Sequence, residues 1–269
     1  MPYVDLEDGL ELYYEDQGEG QTVIFLHGVW MSSQFFKKQV PYFSEAYRTI
    51  TLDLRGHGQS THTPYGHTIS NYAKDVKAFI EKLDLRDVVL VGWSMGAFVI
   101  WEYLHQFGEE NIKASVIVDE LASDFKWPDF EMGAFDFPAL THIMREIQTN
   151  RVTFLEGFVP LMFKEEVPSD EMKWMMEEVT RLPESIASAV LFDQSVVDCR
   201  PYLSDITVPT LLCFGREEKL IPVAAGVHLR EHLSNAVLEI FEESCHCPFL
   251  EEPEHFNQVV DGFIRSLDA

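Results

Sequence analysis

"VVLVGWSMGA", residues 88–97, decides the fold. A continuous apolar run stops at Gly92, and a serine follows two residues later between two glycines. The segment beyond, from Ser94 to Phe107, reads as a helix. An apolar run of this length, with no polar alternation, is the pattern of a strand buried on both faces. G-x-S-x-G placed between such a strand and a helix describes a sharp turn that lifts a serine hydroxyl above a sheet edge. Small residues at 92 and 96 let strand and helix approach closely. The helix N-terminus then favours negative charge at the hydroxyl.

Similar runs recur on either side. "TVIFL" (22–26), "TITLD" (49–53), "ASVIVD" (114–119), "TLLCF" (210–214) and "AVLEIF" (236–241) all read as strands. Before them, "YVDLE" and "LELYYE" alternate and are joined by Asp8-Gly9, a hairpin signal. Helical stretches lie between the runs. Ile69, Tyr72, Ala73, Val76, Ile80 and Leu83 form one apolar stripe, and Pro253 to Leu267 reads as a further helix. Strand and helix in alternation predict an α/β chain with a mostly parallel, eight-stranded sheet flanked by helices. From about Ala122 to Pro209 no strand is legible, and the segment is rich in Phe, Met and Trp. A helical cap over 122–204 is therefore expected, inserted into a core of residues 1–121 and 205–269.

Composition narrows the partners. Twenty basic against 45 acidic residues give a formal charge of −25, which disfavours nucleic acid and anionic membranes. No run approaches the roughly 18 apolar residues of a membrane span. The start, "MPYVDLEDGL", lacks the basic and apolar regions of a signal peptide, so a cytoplasmic protein is expected. "CHC" at 245–247 invites a metal reading, but adjacent side chains diverge and no partner C-x-x-C or H-x-x-x-H exists. No metal and no cofactor are expected, and assembly with further copies of the chain stays open.

A serine hydroxyl needs a base. Of ten histidines, His246 follows the last strand, in "ESCHCPFLEEP". His228, His232 and His255 lie in polar helical surroundings and read as surface residues, while His57 and His62 sit in a Gly- and Thr-rich loop. In "FLHGVW", His27-Gly28 closes a buried strand. The N–H groups of Val29 and Met95 can then face one substrate oxygen, as acyl transfer requires. Trp30 and Trp93 flank these positions and are expected to contact substrate.

Together these stretches resemble the α/β-hydrolase fold superfamily, and within it the cofactor-free haloperoxidase and small carboxylesterase group. The resemblance rests on "VIFLHG" (23–28), "DLRGHGQS" (53–60), "DVVLVGWSMG" (87–96), "VPTLLCFG" (208–215) and "EESCHCPFLEEPEHFNQVV" (242–260), nearly the whole chain outside the cap. It implies a Ser-acid-His order, with Ser94 as nucleophile and His246 as base. The haloperoxidase members usually carry an aromatic directly after His-Gly. Here that residue is Val29, with Trp30 next, which argues against peracid chemistry.

The acid has two candidates. Family members most often place an aspartate in the turn after the seventh strand. This chain reads Gly215-Arg216-Glu217-Glu218 there, so Glu218 takes the slot with a carboxylate displaced by about 1.5 Å. Lys219 beside it is an equally good partner for Glu218 in a surface ion pair. The alternative acid in the family ends the sixth strand, where "SVIVDEL" offers Asp119, twenty-five residues after Ser94. Glu120 follows, and strand alternation sends it to the opposite face. Asp119 is the first choice and Glu218 the second. The expected activity is hydrolysis of small to medium carboxylic esters or lactones through an acyl-enzyme. A dedicated lactonase or carbon–carbon bond hydrolase is the alternative, and a ligand-sensing protein on the same scaffold is the alternative of another class.

Overall fold

The computed structural model describes residues 2–6, 9–217 and 219–268. Eight strands form one sheet: β1 (Tyr3–Asp5), β2 (Glu11–Gln17), β3 (Thr22–Leu26), β4 (Arg48–Leu52), β5 (Val88–Trp93), β6 (Ile112–Val118), β7 (Thr210–Gly215) and β8 (Ala236–Phe241). Their order is β1-β2-β4-β3-β5-β6-β7-β8. The first two strands pair antiparallel, as does β2 with β4, and every later pairing is parallel. This is the sheet the sequence pattern predicts. The expected β1–β2 hairpin forms, although Asp8 of its Asp8-Gly9 turn lies outside the described residues.

The central strands are buried along their full length, β3 and β5 at every position. That explains their unbroken apolar runs. Helices α1 (Val40–Phe43), α2 (Ile69–Lys82) and α3 (Met95–Phe107) connect the first half of the sheet. Between β6 and β7 the chain passes through α4 (Phe137–Thr149), α5 (Arg151–Phe158), α6 (Ser169–Val179) and α7 (Glu184–Val196). The core closes with α8 (Val223–His232), α9 (Pro248–Glu251) and α10 (Pro253–Ser266). The stripe on α2 faces inward, with Ile69, Tyr72, Ala73, Val76 and Ile80 buried. Among the described residues no helix is long and apolar enough to cross a membrane.

Parallel strands all deliver their C-terminal ends to one edge of the sheet, where ligand sites of such sheets form. The turns after β3, β5 and β6 meet there with the loop after β8. The helical segment between β6 and β7 forms a roof there: Phe135, Phe154, Phe158 and Leu191 line the same cavity as Val29 and His246.

Candidate active site

Ser94 stands between β5 and α3 with φ of +51° and ψ of −120°. This left-handed φ is strained for a residue with a side chain. The turn holds because its neighbours leave no alternative. A Cβ at position 92 would lie 2.4 Å from the Gly96 carbonyl oxygen, and one at 96 would lie 2.3 Å from that of Leu26. Glycine is thus required at both, which gives G-x-S-x-G a steric cause. The Ser94 N–H donates to the Val118 carbonyl at 3.0 Å, tying the turn to the end of β6.

Asp119 follows β6 directly. Its N–H still donates to Cys213 on β7 at 2.9 Å, but its φ is +52°. The reversal ends the strand alternation that would send Asp119 and Glu120 to opposite faces. Both carboxyls instead reach the site, contrary to the expectation for Glu120. Asp119 Oδ2 lies 2.6 Å from His246 Nδ1, and Oδ1 accepts the Gly215 N–H at 3.2 Å. Burial pushes the Asp119 carboxyl above its ordinary range, and the bonds from His246 and Gly215 pull it back.

His246 sits on the loop between β8 and α9. Its N–H donates to the Met162 carbonyl at 3.0 Å, and its carbonyl accepts from Trp93 Nε1 at 3.0 Å. Trp93 therefore departs from the expected substrate contact. The cavity wall does not include it. Its ring is buried between Phe35 and Phe249, where it anchors the histidine loop from beneath. Trp30 does border the cavity. It adopts φ of +66°, donates to the Ala187 carbonyl at 3.0 Å, and meets Phe154 and Phe158 edge to face.

The turn after β3 is held by a histidine that sequence reasoning treated only as part of a turn. His27 is fully buried. Its Nε2 accepts the Leu54 N–H at 3.1 Å, which places the proton on Nδ1, where it donates to the Gly28 carbonyl at 2.8 Å. Burial lowers its pKa to about 4, so the ring stays neutral. The brace fixes Val29, whose N–H donates to no backbone acceptor among the described residues. Met95 is the first residue of α3, so no preceding helical turn takes up its N–H.

The cavity has a volume of about 730 Å³ and is bordered by Ser94, His246 and Glu120 along with apolar side chains of the roof. The Ser94 hydroxyl donates to Glu120 Oε2 at 3.2 Å. Glu120 in turn is hydrogen-bonded to Asp124, and Asp124 accepts from Gln194 Nε2 at 2.7 Å. Neither Asp124 nor Gln194 was singled out from the sequence. The only signal was an acid four residues beyond Glu120, and i to i+4 spacing means little outside a helix. Glu218 lies outside the described residues. Its neighbour Lys219 donates to the carbonyls of Phe163 at 2.6 Å and Lys164 at 2.9 Å. Among the described residues no His, Cys, Asp or Glu cluster is arranged to hold a metal ion, and Cys245 and Cys247 are buried free thiols. His232 and His255 are exposed as expected, whereas His228 is half-buried against Phe130.

A family model described as the alpha/beta hydrolase fold matches residues 21–141. A solved structure from Burkholderia cenocepacia is 30% identical over 98% of both chains, with a TM-score of 0.81. An esterase from Exiguobacterium antarcticum is 27% identical over 98% of both chains, with a TM-score of 0.94. A non-heme haloperoxidase from Rhodococcus erythropolis is 26% identical over 99% of this chain and all of its own. The chain belongs to the α/β-hydrolase fold family, in the group that includes the cofactor-free haloperoxidases.

Proposed function

We propose that the protein is a carboxylic-ester hydrolase that works through an acyl-enzyme on Ser94. The observation that carries this reading is the 2.6 Å bond between Asp119 and His246, buried beside the strained Ser94 turn. His246 takes the Ser94 proton as the hydroxyl attacks the substrate carbonyl. Asp119 holds the proton on Nδ1, so that Nε2 is the basic nitrogen, and stabilises the imidazolium that forms. The Val29 and Met95 N–H groups receive the oxyanion. His246 then protonates the leaving alkoxide and activates water to release the acyl group.

Residues 122–204 act as a cap over the core formed by 1–121 and 205–269. Phe154, Phe158 and Leu191 give the cavity an apolar wall, suited to a small or medium acyl or alcohol chain. A lactone is an internal ester and fits the same steps. The esterase from Exiguobacterium antarcticum supports ester cleavage by likeness over nearly the full chain. The test is turnover of p-nitrophenyl butyrate by the wild type and by Ser94→Ala. Loss of turnover in a folded variant supports the proposal. Full turnover without the hydroxyl rejects it, and absence of turnover in the wild type across ester chain lengths favours a ligand-sensing role.

A further inference from the structure

Three side chains on the cavity wall take no part in the steps above. Glu120, Asp124 and Gln194 all border the cavity that holds Ser94. Their exposures are 1%, 3% and 4%. Each donor around them is already engaged. Leu121 N–H donates to Glu120 Oε1 at 2.7 Å, Ser94 donates to Oε2, and Gln194 Nε2 donates to Asp124 Oδ2. The two carboxyls hydrogen-bond to each other, which needs one proton between them. The three side chains together hold more acceptor than donor capacity beside the cavity. Gln194 Oε1 makes this concrete: it is buried and has no partner among the described residues. A buried acceptor without a donor is costly, so the site is complete only when a donor arrives.

Charge adds to this. One proton shared by two carboxyls leaves one negative charge. Burial raises both carboxyls above their ordinary ranges, and the proximity of Asp124 adds to the rise at Glu120. Among the described residues no Lys or Arg forms an ion pair with either. Lys219 borders the cavity, but its ammonium is held by two backbone carbonyls. The nearest cationic group is the His246 ring, which acts on Asp124, and a buried charge with no Lys or Arg beside it attracts a cation far more strongly than an exposed one.

We propose that Glu120, Asp124 and Gln194 form a subsite for a protonated amine, making the enzyme selective for esters that carry a basic nitrogen a few atoms from the scissile carbonyl. The inference rests on the ester-hydrolase reading above and specifies its substrate class. Position sets the reach. Glu120 touches the Ser94 hydroxyl itself, so the nitrogen must lie close to the acyl carbon, on its acyl or its alcohol side. An ammonium there satisfies the Gln194 oxygen and the carboxylate together. A methyl group of the same size satisfies neither.

Two isosteric pairs of esters test this at pH 7. Methyl 3-aminopropanoate against methyl butanoate probes the acyl side. The butanoate of 2-(dimethylamino)ethanol against that of 3-methylbutanol probes the alcohol side. The readout is the ratio of kcat/KM, amine over hydrocarbon, with ester hydrolysis followed by acid release. A ratio above about tenfold in at least one series is expected, from a charge-assisted hydrogen bond in a buried site. The double variant Glu120→Gln with Asp124→Asn keeps the shape and removes the charge, and should lower that ratio about tenfold or more. Gln194→Leu removes the unpaired oxygen and should lower it by a smaller factor. Ratios near or below one in both wild-type series overturn the proposal, and so does a ratio unchanged in the double variant. If the double variant does not fold, an unchanged ratio in Gln194→Leu overturns it. Hydrolysis of the neutral esters that disappears in Ser94→Ala leaves the hydrolase reading standing in each of these cases.

Discussion

Asp119→Asn isolates the acid's role with little structural disturbance. Asparagine tolerates the left-handed φ of +52° that Asp119 adopts, better than any other substitute with the same shape. Its side-chain oxygen can still accept the Gly215 N–H. What changes is the partner offered to His246. The wild-type contact is 2.6 Å between two groups that are 6% and 2% exposed, a charge-assisted bond shielded from water. A hydrogen bond to a charged group contributes about 1.5–3 kcal/mol. An amide N–H turned toward the ring also drives the proton to Nε2, where the base must be free. In a serine protease the equivalent change lowers kcat by about 10⁴. We expect a loss of about 10²–10⁴ in kcat, which is about 2.7–5.4 kcal/mol of barrier. The assay is steady-state hydrolysis of p-nitrophenyl butyrate, with circular dichroism melting as a folding control. A loss under about tenfold in a folded variant refutes the assignment. Glu218→Gln is the paired control and should cost less than about tenfold, since Asp119 already lies 2.6 Å from His246 Nδ1. If the ranking reverses, the turn after β7 supplies the acid.

Two further predictions concern the surroundings. His27→Asn should destabilise the fold most above pH 6.5. There the wild type keeps a neutral buried ring in both states, and as pH falls the unfolded histidine takes a proton that the folded one refuses until about 4. The stability difference between wild type and variant should therefore shrink by as much as about 3 kcal/mol between pH 6.5 and 4, read from denaturant unfolding at each pH. A difference that grows on acidification contradicts a neutral His27. Phe158→Ala and Phe154→Ala enlarge the apolar wall and should move the preferred acyl chain longer by roughly two carbons, each methylene in a fitted pocket being worth about 1–3 kcal/mol. An unchanged preference with a lowered melting point means that these rings serve only the packing of the roof.

The sheet was legible because parallel strands covered on both faces must be apolar throughout, and "VVLVG" or "TVIFL" can hardly be anything else. The Ser94 turn was legible because Gly92 and Gly96 are forced by contacts under 2.5 Å. The contact between Asp119 and His246 was not open to pattern reading alone. It depends on one backbone reversal at residue 119, and alternation rules carry no information past the end of a strand. The same reversal explains why Glu120 appears inside the cavity rather than across the sheet. Trp93 was misplaced for a related reason. Next to Ser94 in sequence, its ring does not border the cavity but packs between Phe35 and Phe249, with Nε1 bonded to the His246 carbonyl. Asp124 and Gln194 come together across seventy residues of roof, a juxtaposition that only the packing of α7 against the loop after β6 provides.

The most direct test of the central claim is covalent labelling of the active protein with a fluorophosphonate, followed by peptide mapping. The Ser94 hydroxyl is the only group in this account that attacks a carbonyl. One adduct per chain on the peptide bearing Ser94, with activity lost in step with labelling, is the result expected. An adduct on another residue, or full activity in a protein completely labelled at Ser94, contradicts the account.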